Sequence, residues 1–391
     1  MITTIASEKK PIKLWLKEID ADTLTQAKNL ANLPFLFHHV AIMADAHIGY
    51  GMPIGGVAAT EGVVIPNAVG VDIGCGVCAL QTSLPTLEKG LLKKVLQAIR
   101  QTVPLGFQHH KRPQPGGRMP DFGRGMKDKD LPVVAREYDS GVLQLGTLGG
   151  GNHFIELQQG DDDRLWVMIH SGSRNIGYQV AKHYNQLAAD HNKAHGAIIP
   201  SKWQLDYLPL SSEDGQHYLR EMNYCVKFAA ANRRAMLGRV REILVEIEPS
   251  TTFSPPFDVA HNYAAMENHF GREVMVHRKG ATRAAAGELG LIPGSQGSTS
   301  YIVRGLGNPE SFSSCSHGAG RKLGRKQAQR ELDLKTEVSR LERLGILHSL
   351  RHKRDLEEAA GAYKDITQVI DNQRDLIEVI TTLQPLAVVK G

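Results

Sequence analysis

The first residues that suggest chemistry lie in the glycine-rich stretch PNAVGVDIGCGVCAL, residues 66–80. It places Asp72, Cys75 and Cys78 within seven positions. A thioredoxin-like redox pair opens a helix after a strand, and here the flanks are glycine-rich instead. A structural zinc site built on both thiols would need two further ligands, and the other two cysteines stand alone in the sequence. This pattern favours Cys75 as a thiolate metal ligand, Asp72 as its carboxylate partner and Cys78 as a small buried residue.

Three histidines could supply the remaining ligands. His153, His170 and His261 each lie at the end of a predicted strand or in a loop of Gly, Ser and Asn. Taken singly, each is equally typical of a hydrogen-bonded structural histidine. Together with the thiolate and the carboxylate, they exceed one catalytic site with an open position and fit two metal ions that share the thiolate. Such ligands also bind zinc well, so the ligand types alone do not name the metal.

A second kind of chemistry is indicated by SCSHGAGRKLGRKQ, residues 314–327. We expect the run from Gly318 to Gly320 to open a helix that begins near Arg321. Exposed N–H groups at a glycine-rich helix start bind phosphate. His317, immediately before them, could attack phosphorus and hold a covalent phosphoramidate. A histidine that merely caps the helix is the alternative interpretation of the same residues.

Hydrophobic periodicity predicts the elements that must position these residues. It indicates helices over 86–101, 214–247 and 321–345. Short apolar runs predict strands at 63–65, 142–145, 165–170, 274–277, 301–304 and 376–388. The candidate residues are spread from position 45 to position 390, and no linker divides the chain. We therefore expect one large α+β domain over residues 1–391, with β-sheets surrounded by helices around a central cleft.

Composition narrows the class of protein. The 391 residues are 41% apolar and 22% charged, which is typical of a globular protein. No apolar run is long enough to span a membrane, and no secretory signal is visible. We therefore expect a cytoplasmic protein that does not associate with a membrane. Four cysteines are too few and too scattered for a disulfide framework. The net charge of +5 is mild, but the basic stretches 109–129 and 321–354 could face a polyanion.

The motifs together resemble those of a known family, the RtcB-type RNA-splicing ligases, which are GTP-dependent enzymes. They occur in the family's order between about residue 40 and residue 391: DAHIGYGMPIGG, VDIGCG, GGGNHFIE, HSGSR, AHNYA, HRKGATRA, IPGSQGSTSY, CSHGAGR and VVKG. The resemblance implies an RNA ligase that joins 3′-phosphate or 2′,3′-cyclic phosphate ends to 5′-hydroxyl ends in RNA repair or splicing. It also implies a GMP-histidine intermediate and an RNA 3′-guanylate.

Carried over residue by residue, the resemblance implies two Mn²⁺ ions bound by Asp72, Cys75, His153, His170 and His261. It makes His317 the residue that becomes guanylylated and Asp45 a candidate for proton transfer or substrate positioning. The positions that match the family's GTP pocket are Asn152, His153, Phe154, Ile155, Glu156, His261, Asn262, Pro293, Gly294, Ser295, Gln296, Ser300, His317, Gly318, Ala319, Gly320, Tyr363 and Lys390. Gln296 stands where we expect Met in this family.

The family also suggests how the substrates are recognised. The Glu156 carboxylate can accept the N1–H and N2–H of guanine, a donor pair that adenine lacks. The RNA backbone would be held by Arg174, Arg278, Lys279 and the 109–129 loop, which makes binding salt-sensitive. Some relatives use a small activating protein called archease, which is therefore a candidate partner.

Three other functions fit parts of the pattern. A binuclear metallophosphoesterase acting on RNA ends would need the metals but no GTP. An RNA-binding protein on a decayed ligase scaffold would lack a ligand or the nucleophile, and none is missing here. A thiol oxidoreductase would use both Cys75 and Cys78 and would survive the loss of His317.

Overall fold

The computed structural model describes residues 1–114, 119–122, 127–196 and 199–391. It has the α+β architecture that the sequence predicts. The helices are α1 (Ala21–Ala31), α2 (Lys89–Thr102), α3 (Pro132–Gln144), α4 (Arg174–Ala194), α5 (Glu213–Ile247), α6 (Arg325–Glu331), α7 (Leu334–Arg343) and α8 (Ile366–Asp371). No helix in these ranges is long and apolar enough to cross a membrane.

The strands are mostly short, and the last one is the longest. They are β1 (Thr3–Ile5), β2 (Ile12–Leu14), β3 (Leu36–His47), β4 (Ile54–Thr60), β5 (Val63–Val64), β6 (Gly76–Gln81), β7 (Phe154–Gly160), β8 (Leu165–Ser171), β9 (Leu208–Pro209), β10 (Phe257–Ala260), β11 (Asn262–His269), β12 (Arg272–Lys279), β13 (Ala281–Arg283), β14 (Leu289–Ile292), β15 (Ser300–Gly305), β16 (Ser314–Ser316) and β17 (Ile377–Lys390).

Two large sheets organise these strands. The six-stranded sheet has the order β1-β2-β3-β4-β12-β11, and the seven-stranded sheet has the order β10-β6-β8-β7-β17-β15-β14. Strand β17 is hydrogen-bonded to β7 on one side and to β15 on the other. The C-terminal strand of the chain therefore lies in the middle of the larger sheet.

Strand alternation divides the larger sheet into a core face and a cavity face. Successive side chains of a strand point to opposite faces. Ile155, Leu157 and Val389 pack with α2 and α5 in one apolar core. Their neighbours Phe154 and Glu156 point to the opposite face, where the candidate functional residues gather.

Most of the predicted elements are present, and two predictions are wrong. Residues 142–145, predicted as a strand, form the C-terminal end of α3 and the residue after it; a short apolar run does not distinguish a strand from a buried helix end. The helix predicted over 321–345 is divided into α6 and α7. Asp333 separates them because its carboxylate accepts the Thr336 N–H at 2.8 Å and caps α7.

Candidate functional site

Three neighbouring strands bring a cysteine and two histidines together. Cys75 immediately precedes β6, His170 lies near the end of β8, and His153 immediately precedes β7. Cys75 Sγ lies 3.2 Å from His170 Nε2 and 3.5 Å from His153 Nε2. The three potential ligand atoms lie within 4.8 Å of one another, and all three side chains are buried. This group has the composition and the compactness of a metal site.

Asp72 and His261, the other two predicted ligands, adjoin this group. Asp72 Oδ2 lies 3.1 Å from His153 Nε2. The ring centroid of His261 lies 5.2 Å from that of His170, and the His261 N–H donates to the Cys75 carbonyl at 2.9 Å. The fold thus gathers all five candidate ligands, which we call the metal-ligand group, although they are separated by as many as 189 positions in the sequence.

Hydrogen bonds orient two of the imidazoles toward the thiol. His153 Nδ1 lies 3.0 Å from the Leu148 carbonyl and His170 Nδ1 lies 3.2 Å from the Asn152 carbonyl. Because a carbonyl only accepts, each Nδ1 carries the proton and each Nε2 keeps a free lone pair. The Nδ1 atom of His261 is buried and has no hydrogen-bond partner. These lone pairs are available to a cation.

The electrostatics of the group also suit a cation. Burial lowers the pKa of His170 and of His261 well below the usual value, which keeps both imidazoles in the neutral form that binds metals. Burial and the adjacent Asp72 carboxylate raise the pKa of the Cys75 thiol well above its usual value. A bound cation would counter both effects on the thiol. The residues present therefore fit a metal ion.

Helix α5 holds the backbone around this group. The buried Arg233 guanidinium donates to the carbonyls of Gly74 at 3.0 Å and Ser171 at 2.8 Å. Asn232, the preceding residue, accepts the Gly146 N–H at 2.7 Å. One turn of α5 thus fixes the loop before β6, the end of β8 and the loop that leads to His153.

His317 lies beside the metal-ligand group and contacts a buried carboxylate. Its Nδ1 lies 2.7 Å from Asp45 Oδ2, and its ring centroid lies 4.7 Å from that of His261. Burial alone would raise the pKa of Asp45, but the charge and hydrogen bond of His317 hold it below the usual value. Asp45 is therefore an ionised partner that can orient the imidazole.

The predicted helix start after His317 is wrong. Gly318, Ala319 and Gly320 lie in a loop, and α6 begins only at Arg325. The N–H groups of His317 and Gly318 donate to Asp45 Oδ2 at 3.1 and 3.2 Å, so they are not a free phosphate cradle. Gly320 has a φ of +71°, and a Cβ there would lie 2.1 Å from the Asp45 carbonyl oxygen. Glycine is needed because the loop passes so close to β3.

A cavity adjoins His170 and His317 and is lined by most of the residues that match the family's GTP pocket. Those that line it are Asn152, Phe154, Glu156, Pro293, Gly294, Ser295, Gln296, His317, Gly318, Ala319, Gly320, Tyr363 and Lys390. His153 and His261 instead belong to the metal-ligand group described above.

Three of the predicted pocket residues lie behind the cavity wall. Ser300 Oγ accepts the Gly294 N–H at 3.1 Å. Asn262 donates to the Asp72 carbonyl at 3.0 Å. The Ile155 side chain lies in the apolar core with α2 and α5. Ser300 and Asn262 thus position neighbouring backbone, and the structure does not bring the Ile155 side chain into the cavity.

Two titratable side chains in the cavity have shifted pKa values. Burial raises the pKa of Glu156 to about 8, although Gln158 donates a hydrogen bond to its carboxylate. Burial lowers the pKa of Lys390, whose Nζ donates to the Asn152 carbonyl at 3.3 Å. A ligand that donates hydrogen bonds to Glu156 would favour its ionised form.

Four polar residues that line the cavity were not predicted from the sequence: His47, Arg321, Arg325 and Glu358. Glu358 accepts a hydrogen bond from the Tyr363 hydroxyl and pairs with Arg321 Nη1 at 3.1 Å and Arg325 Nε at 3.4 Å. Arg321 and His47 are part of the motifs CSHGAGR and DAHIGYG, which could have indicated them. No sequence signal marks Glu358.

The residues expected to hold the RNA backbone differ in their surroundings. Arg278 is fully buried and pairs with Glu267 at 2.9 Å, so it cannot face a ligand, and that expectation is wrong. Lys279 is also buried; its Nζ donates to two backbone carbonyls, and burial lowers its pKa to about 7. Arg174 is half-buried and donates to Thr147 Oγ1 at 3.3 Å and to the Gly106 carbonyl at 3.4 Å. Within the 109–129 loop, residues 115–118 and 123–126 lie outside the described part of the chain.

The chain is similar to known proteins over nearly its whole length. A protein-family model described as "RtcB: tRNA-splicing ligase RtcB" matches residues 26–391. The chain is 38% identical over 407 residues to the RNA-splicing ligase RtcB of Escherichia coli K12, covering 99% of both proteins. It is 34% identical to the tRNA-splicing ligase RtcB of Thermococcus kodakarensis, covering 94% of this chain and 91% of the relative. It is also 34% identical to the RNA-splicing ligase RtcB of Mycobacterium tuberculosis, covering 94% of this chain and all of the relative.

Proposed function

The chain belongs to the RtcB family, and on that basis we propose that it is an RNA ligase that uses GTP and Mn²⁺. Its substrates are RNA 3′-phosphate or 2′,3′-cyclic phosphate ends and 5′-hydroxyl ends. The whole chain, residues 1–391, acts as one catalytic domain. The observation that carries the proposal is the 2.7 Å contact of His317 with the buried Asp45 at a cavity that the metal-ligand group adjoins.

Asp45 prepares His317 for nucleophilic attack. An ionised carboxylate beside Nδ1 holds the tautomer in which Nδ1 carries the proton and Nε2 carries the lone pair. The same carboxylate stabilises the imidazole as it gains positive charge when a bond to phosphorus forms. The two backbone N–H groups that donate to Asp45 keep it in place.

Three transfers at phosphorus then follow. His317 Nε2 attacks the α-phosphorus of GTP, a P–N bond forms and the bond to pyrophosphate breaks. An RNA 3′-phosphate oxygen attacks the same phosphorus, the P–N bond breaks and His317 is regenerated, leaving an RNA 3′-guanylate. The 5′-hydroxyl oxygen of the second RNA end attacks the RNA 3′-phosphorus and forms the phosphodiester bond. The phosphoanhydride bond breaks, GMP leaves with its electron pair, and the hydroxyl proton is released to water. A cyclic 2′,3′-phosphate is first hydrolysed to the 3′-phosphate.

Asp72, Cys75, His153, His170 and His261 would hold two Mn²⁺ ions. The metal ions supply positive charge that offsets the charge on the reacting phosphate oxygens. The family supports manganese, since nitrogen and sulfur ligands alone do not select it.

The rest of the cavity fits a guanine nucleotide. Glu156 is positioned to accept the N1–H and N2–H of guanine, which would select GTP over ATP. Lys390, Arg321 and Arg325 outnumber the carboxylates of Glu156 and Glu358 along the cavity lining. This excess of positive charge suits an anionic nucleotide.

The four cysteines are free and buried, which suits a reducing compartment, and we place the protein in the cytoplasm. An archease-type activator is its candidate partner because some members of the family use one.

Covalent labelling tests the proposal. The protein is incubated with α-³²P-GTP and Mn²⁺, denatured and examined for bound radioactivity, and α-³²P-ATP serves as the nucleotide control. The expected result is an acid-labile, alkali-stable label that requires guanine and is lost in His317→Ala. Circular dichroism and metal content of the variant check that the fold and the metal site remain. A wild-type protein that binds metal but takes no label would contradict the proposal and favour an RNA-end phosphoesterase.

A further inference from the structure

One large apolar side chain is almost entirely in water. Phe107 is 98% exposed, whereas the other exposed large apolar side chains in the described part of the chain reach at most 68%. Exposed apolar residues that occur singly are common and need no function. The position of Phe107 and the charges around it therefore decide what it does.

The backbone before Phe107 is fixed to the loop that leads to His153. The Gly106 N–H donates to the Gly149 carbonyl at 3.0 Å, and the Leu148 N–H donates to the Pro104 carbonyl at 3.0 Å. Arg174 donates to the Gly106 carbonyl at 3.4 Å. Residues 148 and 149 lead directly into Asn152 and the candidate ligand His153, so the backbone next to Phe107 is held beside the loop that carries both residues.

The chain around Phe107 is basic. No acidic residue occurs between Glu88 and Asp121, and Lys111 and Arg112 follow Phe107 closely and are exposed. An exposed aromatic ring beside positive side chains is the combination that binds single-stranded nucleic acid. The cations attract the phosphates while the ring stacks on a base.

We propose that Phe107 is a stacking platform for a nucleobase of the RNA end that enters the site, with Lys111 and Arg112 neutralising the adjacent phosphates. This inference rests on the proposed function and adds a positioning residue for its substrate. Stacking suits a ligase that joins ends of differing sequence, because every base offers a flat face.

Three substitutions of Phe107 distinguish stacking from a general apolar contact. Phe107→Ala removes the side chain, Phe107→Leu keeps an apolar side chain without a ring, and Phe107→Trp keeps a ring. Because the side chain is exposed, none of them removes a core contact. Phe270→Ala is the matched control, since Phe270 is 41% exposed and lies in the β11–β12 turn, at the opposite end of these strands from Asn262 and Lys279.

The Kd for single-stranded RNA with a 3′-phosphate or a 5′-hydroxyl end is measured by fluorescence anisotropy. We expect Phe107→Ala and Phe107→Leu to raise the Kd roughly 5- to 100-fold, and Phe107→Trp and Phe270→Ala to leave it near the wild-type value. RNAs with terminal 2-aminopurine report stacking directly. Their fluorescence should be quenched by the wild type and by Phe107→Trp but not by the other two Phe107 variants.

The charged residues are tested by salt titration. Replacing Lys111 or Arg112 with alanine should reduce the slope of log Kd against log salt by about 0.7 for each phosphate that the residue neutralises. An unchanged slope in both variants would overturn their assignment to the RNA path.

Two results would overturn the role of Phe107. One is an unchanged Kd in Phe107→Ala, and the other is wild-type binding by Phe107→Leu, which would show that no ring is needed. Labelling of the wild-type protein by GTP involves no RNA, so it reports on the proposed function separately. If GTP labels the wild-type protein but Phe107→Ala leaves the Kd for RNA unchanged, the stacking role of Phe107 is rejected and the proposed ligase function stands.

Discussion

Lowering the pH is expected to weaken guanosine binding through Glu156. Its side chain is 3% exposed, and burial raises its pKa to about 8. Only the ionised carboxylate can accept both the N1–H and the N2–H of guanine. Below pH 8 the free site holds a proton that must leave when guanosine binds, so a falling pH opposes binding.

The size of the effect follows from this pKa. Each pH unit below the pKa of the free site raises the Kd about tenfold, equivalent to about 1.4 kcal/mol. Relative to its plateau above pH 8, the Kd should be about 10-fold higher at pH 7 and about 100-fold higher at pH 6. The rise ends only at the pKa of Glu156 in the complex, which the two hydrogen bonds lower.

Isothermal titration calorimetry with guanosine measures this dependence. Guanosine has no phosphate that titrates in this range, and a chelator keeps metal ions out of the measurement. Glu156→Gln is the matched control because its amide cannot ionise. We expect this variant to bind guanosine weakly and with little dependence on pH. Any change of its log Kd with pH measures the contribution of other titratable groups. A wild-type Kd that stays constant from pH 6 to pH 8, or an equal slope in Glu156→Gln, would refute the reasoning.

Four further substitutions separate the parts of the site. Asp45→Asn should slow GTP labelling by about 10³- to 10⁴-fold, as removal of a histidine-orienting carboxylate does elsewhere, with metal content unchanged in elemental analysis; labelling at the wild-type rate would exclude the orienting role. Cys75→Ser should raise the Kd for Mn²⁺, measured by calorimetry, by more than about 100-fold. Cys78→Ser should leave this Kd unchanged because Cys78 lies in the apolar core. Equal effects of the two variants would indicate that both thiols act together. Lys390→Met should reduce GTP labelling about 10- to 100-fold, the effect of removing one charged hydrogen bond, without changing bound metal; full labelling would remove Lys390 from the site.

The sequence predicts the long and strongly periodic elements well. The helix expected over 214–247 is α5, and the strand expected over 376–388 is β17. The prediction fails where the signal is short or local. Residues 142–145 include three apolar side chains because the end of α3 leads into the core, where Leu145 is buried. The capping contact of Asp333 that divides α6 from α7 does not alter the hydrophobic period.

The clustering of Cys75, His153 and His170 could be predicted because these residue types are chemically unusual and sit in or beside glycine-rich loops. Burial and long-range pairing could not be predicted in the same way. Arg278 follows a histidine in a basic motif and suggests a phosphate contact, yet its guanidinium pairs with Glu267 inside the protein. Glu358 lies 202 positions from Glu156, and only the fold brings both to one cavity.

The register of the larger sheet explains how the two halves of the site are joined. His170 of β8 pairs with Phe154 of β7, and Phe154 pairs with Lys390 of β17. These three residues form one row across three adjacent strands, with about 5 Å between neighbouring strands. The row therefore runs from the metal-ligand group through the cavity wall to the lysine, over roughly 10 Å. In the proposed complex, GTP would lie along this row with its phosphates at the His170 end and its base toward Lys390. A one-residue slip of β17 would turn Lys390 to the opposite face of the sheet. The proposed recognition of GTP would therefore depend on the pairing of the last strand. The metal-ligand group, held by β6, β8 and α5, would not.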